Sequence, residues 1–361
     1  MTTAVLAAAA GGLALLLALV TTGPLRSLAL RRGITDRPSA RKAHTRPTPY
    51  LGGIAVAIAT LAAGSAIAFA GGVFDAALGV LLGGAAILCL LGLVDDLRPL
   101  SPALRLGVEA LVSAVVVVEG GHPTVFGGMV DVVLAIVWIV FVTNAFNLLD
   151  NMDGAASSLC AIIGGFVCLT ALSGGQGGLG VTVAALAGGC LGFLFHNKHP
   201  ARIFLGDSGS LFLGFTLACA MVVLHADAVG LRGPVGLLLL TLVPTLDTAL
   251  VMLSRYREAR PLLQGGTDHI AHRLQRLGLP VRRVVGVLGA FTMAGCLLGV
   301  LVSCKLVPPG VALIAACVVG VVAVRLLLTI PATAALSLGL RPPAQTPVAA
   351  GTRSPLRLRK R

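Results

Sequence analysis

Charge is scarce in this chain. Of its 361 residues only 11% are Asp, Glu, Lys or Arg, against 57% hydrophobic, and the mean hydropathy is +0.97. A water-soluble fold of this length cannot hide so much apolar surface. Repeated runs of the roughly 20 residues needed to span a bilayer indicate an all-α, polytopic integral membrane protein. Acidic residues are the scarcer sign, 14 against 27 basic ones, for a net charge of +13. In a soluble protein that excess would suggest nucleic acid; here it is read loop by loop, and no nucleic-acid partner is expected. The eight cysteines all fall inside or at the edge of apolar runs and form no Cys-x-x-Cys pair, which argues against a disulfide framework or a zinc site. They read as small packing residues. No internal repeat is evident. The first apolar run has no basic segment ahead of it and is too long for a signal-peptide core, so it is read as the first span.

Eleven spans are expected, at 2–22, 50–70, 76–94, 103–119, 129–149, 155–173, 178–196, 210–224, 235–254, 284–304 and 311–330. Of the 27 lysines and arginines, all but Arg232, Lys305 and Arg325 fall in alternate loops or in the tail. The positive-inside rule then puts the N-terminus outside and the C-terminus in the cytoplasm. Residues 1–335 form one transmembrane domain. Residues 336–361 form a basic, Pro- and Arg-rich cytoplasmic tail that reads as disordered and lipid-associated.

The polar residues that remain are clustered on that same side. Asn144, Asn147 and Asp150 recur at i, i+3 and i+6, so a helix would align them on one edge where an apolar run ends, with Asp153 and Gly154 following. Polar groups are expensive in lipid and mark function at its border; the plainer account, Asp153 capping a helix from Ala155, needs only one of them. Asp95 and Asp96 are adjacent carboxylates, which repel unless a cation is near. Magnesium is commonly held by one or two carboxylates completed by substrate phosphates. The alternative is a solvated pair that stops the helix.

Lys42 and His44 sit among prolines ahead of Gly52-Gly53, either as a phosphate-binding edge or as lipid-headgroup contacts. Asp207, between Gly206 and Gly209, could ligate a cation beside free backbone N–H groups, or simply cap the next helix. Asp247 is either a direct participant or a buried partner for Arg255. His269 and His272, three residues apart and followed by Arg273, suit diphosphate or sugar contacts better than zinc. Carboxylates, amides and basic groups on one face describe a site for a divalent cation and a diphosphate.

In order, these segments resemble the polyprenyl-phosphate N-acetylhexosamine-1-phosphate transferases of glycosyltransferase family 4. The resemblance rests on Arg41-Lys42-x-His44 with Pro47-x-Pro49 and Gly52-Gly53, and on Asp95-Asp96 with Leu100-x-Pro102 and Arg105. It continues through Asn144-x-x-Asn147-x-x-Asp150-x-x-Asp153-Gly154, Pro200-Ala201-x-Ile203-Phe204-x-Gly206-Asp207-x-Gly209-Ser210 and Pro244-x-x-Asp247. It spans residues 34 to 274. It implies a multi-pass enzyme of the bacterial plasma membrane with a cytoplasmic active site. The reaction would move a sugar 1-phosphate from a UDP-sugar to undecaprenyl or a related polyprenyl phosphate, releasing UMP, as the first membrane step of a cell-envelope polymer. The implied cofactor is Mg²⁺, with Mn²⁺ as a substitute, and a homodimer is compatible with it.

Carried over by position, Asp95, Asp96 and Asp207 would be catalytic, with Asp207 and Asn147 at the metal. Lys42, His44, Asn144, Asn147, Asp150, Asp153, His269, His272 and Arg273 would bind substrate. The branch that uses N-acetylglucosamine usually carries His-x-His-His in the last loop; here Ala271 replaces the middle histidine. N-acetylglucosamine is the favoured sugar, with other N-acetylhexosamines or UDP-MurNAc-pentapeptide as alternatives. A transporter would instead place ionisable groups at mid-membrane on broken helices, often in two related halves. A lipid-binding homologue without activity would be expected to lose one of the three catalytic aspartates.

Overall fold

The computed structural model describes residues 2–36, 48–261 and 266–330. It is a helical assembly in which the only strands among those residues are the short antiparallel pair β1 (Thr35–Asp36) and β2 (Thr48–Pro49). The helices are α1 (Thr3–Arg32), α2 (Gly52–Ala70), α3 (Ala76–Leu97), α4 (Pro102–Gly120), α5 (Met129–Leu149), α6 (Ala155–Ser173), α7 (Gly177–Asn197), α8 (Gly206–Leu224), α9 (Arg232–Leu240), α10 (Leu242–Arg257), α11 (Ile270–Arg276), α12 (Val281–Ser303) and α13 (Pro309–Leu328). Nine of them are long and apolar enough to cross a membrane. α4 overlaps the fourth expected span but carries Arg105, Glu109 and Glu119 along its length.

Three expected spans are corrected. α1 continues ten residues past the expected end, so Arg26, Arg31 and Arg32 ride on a helix, which ends at Gly33 in the left-handed region. The ninth span is two helices, α9 and α10, bent by 75° around Thr241. Pro244 accounts for the break: it has no N–H to give the Leu240 carbonyl, and its ring clashes with that carbonyl in a continuous helix. The thiol of Cys296 on α12 approaches the freed carbonyl at 3.8 Å. Finally, α8 begins at Gly206 rather than at 210, which brings Asp207 into its first turn.

α8 is the centre of the molecule. Fifteen of its residues, from Ser208 to Val222, are buried, and α2, α3, α5 and α6 pack around it. Small residues let the backbones approach. A Cβ on Gly53 of α2 would lie 2.2 Å from the Gly209 backbone, and one on Gly92 of α3 would lie 2.3 Å from the Asp207 carbonyl oxygen. These crossings fix the first turn of α8 against the ends of α2 and α3. α13, by contrast, is the most exposed of the candidate spans.

Candidate active site

The site forms where the ends of α3 and α5 and the start of α4 meet the first turn of α8. Asp96, next to last in α3, points its carboxylate at that turn and accepts the N–H groups of Asp207 (2.9 Å) and Ser208 (3.0 Å). The first N–H groups of any helix lack partners and carry partial positive charge, so the carboxylate caps α8 from another helix. Gly206 makes this possible: it adopts φ +74°, and a Cβ there would lie 2.8 Å from the Asp96 carboxylate. The hydroxyl of Tyr50 donates to the Asp96 carbonyl at 3.1 Å. The amides expected to be free for phosphate at Asp207 and Ser208 are therefore occupied. The N–H groups of Gly52 and Gly53 are occupied too, donating to the Phe204 and Leu205 carbonyls at 3.0 and 2.8 Å.

Asp95 is mostly buried and pairs with Arg105 of α4 at 2.7 Å, while accepting the Leu100 N–H at 2.6 Å. Arg105 also lies 3.6 Å from the Asp207 carboxylate and donates to the side-chain amide oxygen of Asn147 at 3.4 Å. Asn147 in turn donates to Asp207 (2.7 Å) and to the Ser210 hydroxyl (2.9 Å). Asp207 thus has one oxygen held by an amide and the other facing a cation, and its side chain is 36% exposed. It does not cap α8, whose cap position is Leu205.

Asn147 was expected beside Asp207 as a metal ligand. The structure turns its NH₂ toward Asp207, so it positions that carboxylate and does not converge with it on one point. No group of three or more His, Cys, Asp or Glu among the described residues could hold a metal alone. What is present, one accessible carboxylate among hard oxygen donors, fits a magnesium ion that takes its other ligands from water and phosphate.

The expected polar edge runs off its helix: Asn144 and Asn147 are on α5, and Asp150 is the residue after its last turn. Burial and the neighbouring carboxylates Asp207, Asp96 and Asp153 push the Asp150 carboxyl up to about 8. Asp153 does not cap α6, whose cap is Gly154 without a side-chain bond. It binds His199 (2.8 Å) and the Ala201 N–H (3.0 Å), tying down the loop that leads into α8.

A second cluster gathers on α10 and α11. Asp247, read as either a direct participant or a partner of Arg255, is buried and accepts from His269 (2.8 Å) and from the Ile270 N–H (2.7 Å) rather than from Arg255. Arg255 pairs with the fully buried Asp268 at 3.0 Å, and Arg260 joins them at 2.5 Å. Arg273, expected at the substrate, is 1% exposed. Its guanidinium donates to the Asp268, Leu327 and Ile330 carbonyls and to the Ser254 hydroxyl. It is a strut joining the loop to α10 and α13. His272 is half-buried, and burial holds its imidazole below the usual range. Lys42 and His44 lie outside the described residues.

Two residues in direct contact with the cluster were not expected as site residues. Arg105 was legible as part of the aspartate-pair segment, but its three contacts were not. Glu109, which binds the Asn144 amide at 2.5 Å, could have been found as the lone carboxylate inside the apolar run 106–118.

Residues 78–225 match the family model described as Glycosyl transferase family 4. The chain is 32% identical over 285 residues, 76% of its own length and 78% of the relative's, to the "Probable undecaprenyl-phosphate N-acetylglucosaminyl 1-phosphate transferase" of Bacillus subtilis. It is 32% identical over 300 residues, 73% of its length and 74% of the relative's, to the decaprenyl-phosphate N-acetylglucosaminephosphotransferase of Mycobacterium tuberculosis. A phospho-N-acetylmuramoyl-pentapeptide-transferase of Moorella thermoacetica is 38% identical, over 42% of this chain and 46% of the relative.

Proposed function

The chain belongs to glycosyl transferase family 4, and on that premise we propose that it transfers N-acetylglucosamine 1-phosphate from UDP-N-acetylglucosamine to a polyprenyl phosphate, releasing UMP. The observation that carries the reading is the Asp207 constellation. One accessible carboxylate is held by Asn147, faced by Arg105, and mounted at the border of an apolar bundle. N-acetylglucosamine is favoured because relatives named for it match about three quarters of the chain, whereas the pentapeptide-transferase match covers 42%.

Asp207 would hold Mg²⁺ on the donor diphosphate, and the ion would neutralise charge as the phosphoryl group moves. The protein's own part is positioning. Arg105 places a guanidinium beside Asp95 and Asp207, where it can meet phosphate oxygens without leaving its partner. Asp96 holds the turn that carries Asp207. A lipid phosphate monoester is already largely ionised near pH 7, so the acceptor does not depend on a side chain to remove its proton. The basic loops support a cytoplasmic site in a bacterial plasma membrane, supplied with the donor from the cytosol.

The test is UMP release by purified protein in detergent with Mg²⁺ and undecaprenyl phosphate, across a panel of UDP-sugars. Release with UDP-N-acetylglucosamine is expected. Release only with another donor would keep the reaction and reassign the sugar, and no release from folded protein would refute the reading.

A further inference from the structure

Glu109 lies midway along α4, four residues after Arg105, and is 0% exposed. One carboxylate oxygen accepts the Asn144 amide at 2.5 Å, and the other has no hydrogen-bond partner. A carboxylate in this position is costly in an apolar bundle, and an apolar pair would hold two helices together at less cost. Asn144 does not require it either, since its NH₂ also donates to the Val140 carbonyl one turn back at 2.9 Å. Packing alone therefore gives no reason for a carboxylate here.

Register supplies one. Residues three or four apart share a helix face. Arg105 and Glu109 are successive rungs of α4, and Asn147 and Asn144 are successive rungs of α5. The outer rung joins Arg105 to Asn147 at 3.4 Å, and the inner rung joins Glu109 to Asn144. Asn147 must satisfy Asp207, Ser210 and Arg105 together. A small rotation or slide of α5 would break at least one of those contacts. The inner rung, clamped on an orientation-demanding amide, resists both movements in a way that apolar packing does not.

We propose that Glu109 is a positioning residue for phosphosugar transfer, holding Asn144 so that Asn147, one turn on, presents Asp207 to the cation and the donor. This rests on the function proposed above. The variants are Glu109→Met, which keeps volume and removes the acceptor, Glu109→Gln, which keeps an acceptor oxygen, Asn144→Ala, and the Glu109→Met/Asn144→Ala double. Each is measured for kcat and KM with both substrates, for thermal unfolding, and for Mn²⁺ affinity by electron paramagnetic resonance.

Glu109→Met is expected to lower kcat by about 10–100-fold, the scale of a displacement near 1 Å. Its KM values should stay within about twofold and its unfolding close to wild type. Mn²⁺ should bind at least about tenfold more weakly, as when a group that orients a ligand is lost. Glu109→Gln should recover most of both losses, and the double variant should be no worse than the worse single one. Undiminished kcat and Mn²⁺ affinity in Glu109→Met, or losses that multiply in the double variant, would overturn the proposal. If wild-type protein binds Mn²⁺ but releases no UMP, the function reading falls, and Mn²⁺ affinity alone decides the role of Glu109.

Discussion

The two polar clusters are built in opposite ways. Around α8 the groups are incompletely closed: Asp207 is held by an amide on one oxygen and leaves its carboxylate 36% exposed. Around α10 and α11 the central pair is sealed, with the Asp268 side chain 0% exposed and Arg255 2%. Both contain a carboxylate and a guanidinium, so residue type alone does not tell them apart. What differs is spare coordination. The first cluster keeps a carboxylate partly exposed, with a guanidinium beside it, as a reaction on a diphosphate requires. The second spends its donors on its own backbone and side chains, as a strut does.

That contrast predicts two kinds of damage. The largest loss of turnover, after removal of Asp207 itself, is expected from Arg105→Ala: about 10²–10³-fold, the scale seen when one preorganised charge-stabilising donor is lost. Arg105→Lys should fall in between, because an ammonium is a single point charge where the fork reaches Asp95, Asn147 and Asp207 together. Steady-state UMP release checks both. If Arg105→Lys matches wild type, the fork is irrelevant.

In the second cluster the damage should appear first as unfolding. Asp268→Asn removes the negative charge that pairs with the buried Arg255 guanidinium at 3.0 Å and is expected to cost about 3–5 kcal/mol, read by thermal or denaturant unfolding in detergent. If turnover vanished at unchanged stability, the strut assignment would fail.

The clusters also differ in the sign of their pH dependence. The guanidinium groups of Arg260 and Arg255 hold the Asp268 carboxyl below its ordinary 3.8 despite its burial. Its contribution is therefore complete above about pH 4 and is lost as pH falls through the lowered folded value. Asp150 does the reverse. With its folded value near 8 against 3.8, native protein retains a proton that the unfolded chain releases, so stability declines as pH rises from about 4 to 8. Metal-free Asp150→Asn should flatten that slope, and unfolding midpoints across the range would show it. A slope unchanged in the variant would assign it to other groups.

Much of the first cluster was legible in the sequence because its members lie in short, recognisable segments: Asp95-Asp96, Asn144 to Asp153, and Gly206 to Ser210. Their pairings were not. Asp96 meets the start of α8 more than a hundred residues away, and Asp247 chooses His269 over Arg255; both depend on the tilt and rotation of helices, which spacing along one helix does not report. Ten of the eleven apolar runs each fall on one helix, because lipid demands internally bonded backbone. The break at Thr241 escaped because hydropathy is continuous across it, although Pro244 was the available signal.

The most direct test of the central claim is Asp207→Asn, assayed beside wild type for UMP release from UDP-N-acetylglucosamine with undecaprenyl phosphate and Mg²⁺, with unfolding measured on the same samples. Turnover is expected to fall by at least about 10²–10³-fold with the unfolding midpoint nearly unchanged, since the substitution removes charge from a partly exposed side chain and keeps its shape. Full turnover in a folded Asp207→Asn protein would remove Asp207 from the chemistry and contradict the account.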